Sequence, residues 1–129
     1  GECWEAFMFA AHYGLSNLCV FLDRNRLQID GSTETVMSSE PLEEKMKAFN
    51  FNVRTINGHD YDQIEAAIQA FHAENDKPTC IIMDTTKGKG VSFMTNSVDW
   101  HGKGPNDDEY KVAMEELNAA YAALEQEEK

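Results

Sequence analysis

The sequence has few cysteines, few basic residues and no long apolar run, and each shortage excludes a class of protein. Its three cysteines, Cys3, Cys19 and Cys80, are too few and too scattered for a disulfide framework or a cysteine-rich zinc site, and they fit a reducing cytoplasm. Eleven Lys and Arg against 23 Asp and Glu give a formal net charge of −12, which argues against nucleic acid or an anionic membrane as the main partner. We expect neither a membrane span nor a signal peptide.

What the chain does contain is enough apolar material for a folded core. With 129 residues, 42% of them hydrophobic, it is long enough for one domain over 1–129 and too apolar to be disordered. Residues 107–129 hold eight acidic residues and two lysines, so we expect an acidic, solvated C-terminal helix over 107–127. The chain starts inside a predicted helix and without an initiator Met, which suggests a partial domain of a longer protein.

Short apolar runs alternate with helical patterns along the chain. This alternation predicts an α/β fold, a parallel sheet with helices on both faces. Ser39 is a candidate N-cap for the second helix, and the stretch from Ser32 to Glu40 is expected to be irregular. Asp60 and Gln63 have the spacing of a capping box for the third helix. The predicted strands cover 18–22, 51–56 and 80–83, and the predicted helices cover 2–13, about 41–48, a segment starting near 60, and 107–127.

The first predicted helix is apolar over much of its circumference. Trp4, Phe7 and Met8 recur at helical spacing, so we expect the helix to be largely buried. Glu5 would then be a carboxylate in an apolar environment, which needs a partner. His12 is interpreted as a polar residue near the helix end rather than as a ligand.

Asn25 lies just beyond the first predicted strand, at the edge of a parallel sheet where ligands usually bind. Its amide oxygen and the carbonyls of an irregular backbone are the oxygen ligands that Mg²⁺ or Ca²⁺ prefers. The alternative is that Asn25 and Asp30 only form side-chain-to-backbone turn bonds. The residues by themselves leave both interpretations open.

Two further loops follow the third predicted strand. The stretch 87–90 combines Lys87 and Lys89 with two glycines, which would suit a nearby phosphate, although a solvated turn explains it equally well and its spacing is not that of a P-loop. Trp100-His101-Gly102 is an unusual composition for a mere connection. The predicted topology would gather Asn25, Leu27, the 87–90 loop and His101 around one crevice.

Taken together and in order, the motifs of this chain resemble the transketolase family, and most closely the separate N-terminal subunit of split transketolases. The resemblance covers nearly the full chain. The motifs that carry it are Trp4-Glu5-Ala6, Asp23-Arg24-Asn25-Arg26-Leu27-Gln28-Ile29-Asp30-Gly31, Asn57-Gly58-His59-Asp60, Lys77-Pro78-Thr79, Thr85-Thr86-Lys87-Gly88-Lys89-Gly90 and Trp100-His101-Gly102.

The resemblance implies a pyrophosphate-binding domain for thiamine diphosphate. Asn25 matches the family's metal-ligating Asn, and Leu27 matches the position whose backbone carbonyl binds the same Mg²⁺ or Ca²⁺. His101, with Gly102, matches a His-Gly loop that contacts cofactor and donor substrate, which makes His101 the candidate catalytic residue. Glu5 matches a carboxylate of an interface network. The 87–90 loop matches a cofactor-flanking loop, but its lysines differ from many members and their role stays open.

The resemblance also implies what this chain does not supply. The Gly-Asp-Gly half of the family motif, with its metal-binding Asp, is absent from the sequence, so we expect the chain to be inactive alone. The pyrimidine site would come from a transketolase C-terminal subunit or domain, in a homo- or heterodimer. The implied reaction transfers a two-carbon ketol unit from a ketose phosphate to an aldose phosphate. Alternatives are a deoxyxylulose-phosphate synthase, a dihydroxyacetone synthase, or a non-catalytic α/β binding domain.

Overall fold

The computed structural model describes residues 1–127, and it contains five α-helices, one short 3-10 helix and five strands within that range. Along the chain the α-helices and strands are α1 (Glu2–His12), β1 (Cys19–Arg24), β2 (Leu27–Gln28), β3 (Gly31–Ser32), α2 (Thr33–Val36), α3 (Leu42–Ala48), β4 (Asn52–Asn57), α4 (Tyr61–His72), β5 (Thr79–Asp84) and α5 (Asp107–Glu127). None of the described helices is both long and apolar enough to cross a membrane.

The chain divides into two compact units. The first contains Gly1–Asn25 and Ser38–Thr85, and the second contains Arg26–Met37 and the chain from Thr86 onward.

A three-stranded parallel sheet forms the centre of the first unit. Its strand order is β1-β5-β4, and the last residue of β5, Asp84, is in register with Arg24 on one side and Asn57 on the other. The strands are parallel because each connection between them runs through a helix, as the alternating pattern predicts. The predicted parallel α/β architecture is therefore confirmed, with each strand placed within one or two residues.

Helices cover the two faces of this sheet unequally. One face packs against α1 and α3 through a buried cluster of Ala10, Leu42, Met46, Phe51, Cys80 and Ile82. Burial in this cluster raises the pKa of the Cys80 thiol to about 11. On the other face α4 lies beside β4, where Ala66 and Ala67 line a cavity together with Arg54 and Ile56. Phe21 of β1 points to that second face and is 47% exposed, so α4 does not cover the whole of it.

Helix α1 is less buried than predicted. Phe7, Ala10 and Ala11 face the core, but Met8, Phe9 and Tyr13 on the other side are all more than half exposed. The prediction of a largely buried helix is wrong for the described chain, since the core contacts only one side of α1. Glu5 is likewise exposed rather than enclosed by apolar groups.

The stretch predicted to be irregular, from Ser32 to Glu40, contains regular structure at its start. β2 and β3 form a short antiparallel hairpin, and Ser32 caps α2 by accepting a hydrogen bond from the Thr35 N–H at 3.2 Å. Ser39 is not the N-cap of α3, which begins at Leu42 after Pro41. The Glu40 carboxylate takes the capping role instead, because it accepts a bond from the Leu42 N–H at 3.1 Å.

Two helix starts follow the sequence pattern. Asp60 accepts bonds from the Gln63 N–H at 3.1 Å and from the Gln63 side-chain amide at 2.7 Å, which confirms the predicted cap. These bonds hold the pKa of the Asp60 carboxyl below its usual range. At the start of α5, the Asn106 side-chain oxygen accepts from the N–H groups of Asp108 and Glu109. Helix α5 covers the residues predicted for it.

Candidate functional site

In the first unit, the carboxyl ends of β1 and β5 lie side by side. Asn25 follows the last residue of β1 and is half-buried. It therefore stands at the edge of the parallel sheet where ligands are expected. Asn25 is also held by at least one polar interaction within the molecule.

The Arg24 side chain makes several polar contacts at this edge. Its Nε donates to Glu40 Oε1 at 2.6 Å, and its Nη1 donates to Asp84 Oδ1 at 3.2 Å. A third guanidinium nitrogen, Nη2, also contacts Glu40 Oε1. The hydrogen bond to Glu40 is the main cause that raises the pKa of Arg24 above its ordinary value, and burial partly opposes it. The guanidinium thus joins the ends of two strands to the start of α3.

A second set of contacts joins neighbouring residues at the same edge of the sheet. The Thr85 hydroxyl donates to the Asp23 carboxylate, and the Gly58 N–H donates to the Asp84 carbonyl at 2.9 Å. A Cβ at position 58 would lie 2.6 Å from Thr85 Cγ2 and 2.8 Å from Met83 Cβ. The Asn57-Gly58 break after β4 therefore requires glycine because of this close approach.

In the second unit, Leu27 opens the β2–β3 hairpin. The Thr33 N–H donates to the Arg26 carbonyl at 2.9 Å, so the next pair, Leu27 with Ser32, is a non-hydrogen-bonded pair of the antiparallel ladder. In such a pair the backbone carbonyls are directed away from the partner strand. The Leu27 carbonyl is therefore directed away from β3.

His101 ends a 3-10 turn formed by Val98–Trp100. Its backbone N–H donates to the Val98 carbonyl at 3.0 Å, and its imidazole is exposed. The preceding Trp100 is anchored, since its indole N–H donates to the Phe93 carbonyl at 3.0 Å and the two rings lie 5.2 Å apart. Gly102 follows in open space, where a Cβ would meet no atom within 4 Å.

The 87–90 loop is a compact turn. Gly88 has φ +69°, and a Cβ there would lie 2.4 Å from the Met94 carbonyl oxygen, so only glycine fits. The Lys87 carbonyl accepts a bond from the Asn96 N–H at 2.9 Å.

The loop that follows is fixed to α5 by one carboxylate. Glu116 Oε2 accepts from the Ser92 N–H at 2.6 Å, and Glu116 Oε1 accepts from the Ser92 hydroxyl at 2.5 Å. These two bonds hold the pKa of the Glu116 carboxyl below its usual range. This contact could not be predicted from the sequence, because residues 24 positions apart share no local pattern.

The predicted site residues belong to both units. Glu5 and Asn25 lie in the first, while Leu27, His101 and Gly102 lie in the second. Within residues 1–127, no group of three or more His, Cys, Asp or Glu side chains is arranged to hold a metal ion.

Comparison with known proteins gives consistent matches along the chain. Residues 1–125 match the family described as transketolase, thiamine diphosphate binding domain. The chain is 39% identical over 127 residues to one subunit of the apulose-4-phosphate transketolase of Phocaeicola vulgatus, covering 98% of this chain and 45% of that protein. It is 39% identical over 117 residues to the 6-deoxy-6-sulfo-D-fructose transketolase subunit SqwG of a Clostridium species, covering 91% of this chain and 42% of that protein.

Solved structures agree with the sequence matches. The crystal structure of transketolase from Campylobacter jejuni superposes with a TM-score of 0.82 at 29% identity, covering 89% of this chain and 18% of that one. The transketolase of Pichia stipitis in complex with sedoheptulose 7-phosphate gives a TM-score of 0.81 at 31% identity, over 88% of this chain and 17% of that one. The chain spans less than half the length of the two curated relatives. The resemblance drawn from the motifs is confirmed: the chain belongs to the transketolase family, and its residues are those of the thiamine diphosphate-binding domain.

Proposed function

We propose that this chain supplies the diphosphate-binding part of a transketolase, which transfers a two-carbon ketol group from a ketose phosphate to an aldose phosphate. The observation that carries the proposal is the family match over residues 1–125 together with relatives named as transketolase subunits. Each of these two relatives is named as one subunit of its enzyme. We therefore propose a partner subunit or domain that contributes the pyrimidine site, in a homo- or heterodimer.

The residues present fit the divalent metal that the family implies. Asn25 offers a side-chain oxygen at the carboxyl edge of the sheet, and Leu27 offers a carbonyl directed away from β3. We propose that both oxygens ligate Mg²⁺ or Ca²⁺, with an Asp of a Gly-Asp-Gly segment as a further ligand. Bound in this way, the metal would anchor the diphosphate of the cofactor.

Thiamine diphosphate, when bound, supplies a nucleophilic carbon and an electron sink. The role of this chain's residues is to hold and orient the reactants. His101, exposed at the end of its turn, would donate a hydrogen bond to a substrate oxygen and stabilise charge that develops there as the carbon–carbon bond breaks. Gly102 would let the backbone approach the cofactor closely, since it carries no side chain.

Helix α1 supports the proposal of a partner. Glu5 and the apolar residues Met8, Phe9 and Tyr13 are all exposed on the described chain. An exposed apolar surface of this kind is typical of an interface. We propose that Glu5 joins a carboxylate network there, without touching substrate. The scattered, unpaired cysteines are compatible with the proposed cytoplasmic location.

The identity of the sugars is left to experiment, because the two curated relatives are named for different substrates. The test is an assay of the chain in its natural protein, with any partner subunit, thiamine diphosphate and Mg²⁺. Donors and acceptors should include common ketose and aldose phosphates, apulose 4-phosphate and 6-deoxy-6-sulfo-D-fructose. We expect ketol transfer with at least one pair. Activity only as a deoxyxylulose-phosphate or dihydroxyacetone synthase would replace this proposal, and cofactor binding without turnover would favour a binding domain.

A further inference from the structure

Arg24 connects three separate parts of the first unit. It is the last residue of β1, and its side chain contacts Asp84 at the end of β5 and Glu40 before α3. The side chain is only 22% exposed. A planar guanidinium can bind two carboxylates in fixed directions at once, which a lysine cannot do.

Glu40 is itself held in place, so the contact with Arg24 has a rigid partner. Its Oε2 accepts from the Leu42 N–H at 3.1 Å, and its backbone carbonyl accepts from Lys45 Nζ at 3.1 Å. Lys45 Nζ also donates to the Ser39 carbonyl at 2.6 Å. The ion pair of Arg24 with Glu40 therefore ties the end of β1 to the start of α3.

The position of this contact along the chain is informative. The chain leaves the first unit after Asn25 and re-enters it at Ser38. Arg24 is the residue before the exit point, and Glu40 lies two residues after the re-entry point. The next residue after Asn25, Arg26, has φ +63°, so the backbone turns sharply there. Arg24 thus anchors the chain immediately before Asn25 and the turn.

We propose that Arg24 is a positioning residue, whose contacts with Glu40 and Asp84 fix the backbone at Asn25 and so aim its amide oxygen at the metal. The inference rests on the proposed metal role of Asn25. We therefore expect Arg24→Lys, which keeps the positive charge but loses the planar guanidinium that reaches two carboxylates, to weaken metal-dependent binding of the cofactor.

The experiment measures thiamine diphosphate binding by calorimetry at saturating Mg²⁺ and again in EDTA, on the natural protein with any partner subunit. Wild type is compared with Arg24→Lys, Glu40→Gln and Asn25→Ala. Lys47→Met is the matched control, since it removes another ion pair of α3, Lys47 with Glu43 at 2.6 Å. Urea unfolding of each variant shows that binding is measured on folded protein.

We expect Arg24→Lys and Glu40→Gln each to raise the Kd of thiamine diphosphate in Mg²⁺ by about tenfold, which is the lower end of the effect of residues that orient a metal ligand. We expect Lys47→Met to leave this Kd unchanged. Because Arg24 acts through Asn25, adding Arg24→Lys to Asn25→Ala should cause no further loss. A fully additive double variant, or a wild-type Kd in both Arg24→Lys and Glu40→Gln, overturns the inference. If Arg24→Lys does not fold, the Kd of the isosteric Glu40→Gln tests the positioning role instead. A wild-type Kd in Asn25→Ala overturns the proposed metal role of Asn25, and this outcome is distinct from failure of the positioning role of Arg24 alone.

Discussion

The indole N–H of Trp100 donates to the carbonyl oxygen of Phe93 at 3.0 Å, and the two rings pack at a centroid distance of 5.2 Å. Because His101 is the next residue, this contact anchors the backbone that presents the imidazole. Nζ of Lys103 lies 4.0 Å from the centre of the Trp100 ring, which adds a cation–π contact. The exposed His101 is therefore carried by an anchored turn.

Replacing Trp100 with Phe should loosen this turn without unfolding the chain. The variant keeps the ring contact and loses one hydrogen bond, which contributes about 0.5–1.5 kcal/mol. We expect the His101 amide, which donates to the Val98 carbonyl, to exchange its hydrogen about three- to tenfold faster by NMR. Trp4→Phe, in the first unit, is the control and should not change that rate. Equal rates in Trp100→Phe and wild type would contradict the anchoring role.

Gly58→Ala should destabilise the protein. The added Cβ would lie 2.6 Å from Thr85 Cγ2 and 2.8 Å from Met83 Cβ, and overpacking of this kind costs roughly 1–3 kcal/mol. Urea unfolding followed by circular dichroism measures the loss. Gly104→Ala is the matched control, because a Cβ there meets nothing within 4 Å, and it should change stability by no more than about 0.5 kcal/mol. Equal free energies of unfolding for Gly58→Ala and Gly104→Ala would refute the close approach at Gly58.

The contact between Ser92 and Glu116 should depend on pH. Hydrogen bonds from Ser92 lower the pKa of the Glu116 carboxyl from 4.5. A lowered carboxyl pKa gives stability that is present above pH 4.5 and is lost as the pH falls through the folded value. In Ser92→Ala the pKa of Glu116 should rise back toward 4.5, as measured by carbon NMR of the side-chain carboxyl. Ser97→Ala, in the same stretch of chain, is the control and should leave the pKa of Glu116 unchanged. An unchanged pKa in Ser92→Ala as well would show that the contact is absent in solution.

His101→Ala should reduce turnover more than cofactor affinity. If the imidazole stabilises charge in the transition state, its removal lowers kcat by roughly a hundredfold, while the Kd of thiamine diphosphate changes little. Steady-state kinetics and calorimetry on the natural protein measure the two effects. His72→Ala, on α4, is the control and should alter neither. A large loss of affinity with kcat preserved would make His101 a cofactor anchor only.

The parallel strands and most of the helices could be predicted because their signals are local. The apolar run that became β1, the capping pair Asp60 and Gln63, and the acids at the start of α5 each act within a few residues. The contact between Arg24 and Glu40 could not be predicted, since the two residues are 16 positions apart and meet only after the sheet forms. The short hairpin was missed for a related reason: strands of two residues have no apolar period to detect.

The burial of α1 was predicted wrongly because sequence periodicity does not say what covers a face. Phe9 and Tyr13 are aromatic like Phe7, yet only Phe7 meets the core. The candidate site shows the same limit. The residue types at Asn25 and His101 came from motifs, whereas the anchors that hold their backbones, Arg24 and Trp100, became visible only in three dimensions.

The metal role of Asn25 is tested by the affinity of Asn25→Ala for thiamine diphosphate with and without Mg²⁺. Calorimetry on the natural protein, with any partner subunit, would compare wild type, Asn25→Ala and the exposed control Asn118→Ala, each with Mg²⁺ and with EDTA. We expect Asn25→Ala alone to bind the cofactor at least about tenfold more weakly in Mg²⁺ and to lose most of its dependence on the metal. A wild-type Kd and an undiminished effect of Mg²⁺ in Asn25→Ala would contradict the metal role of Asn25.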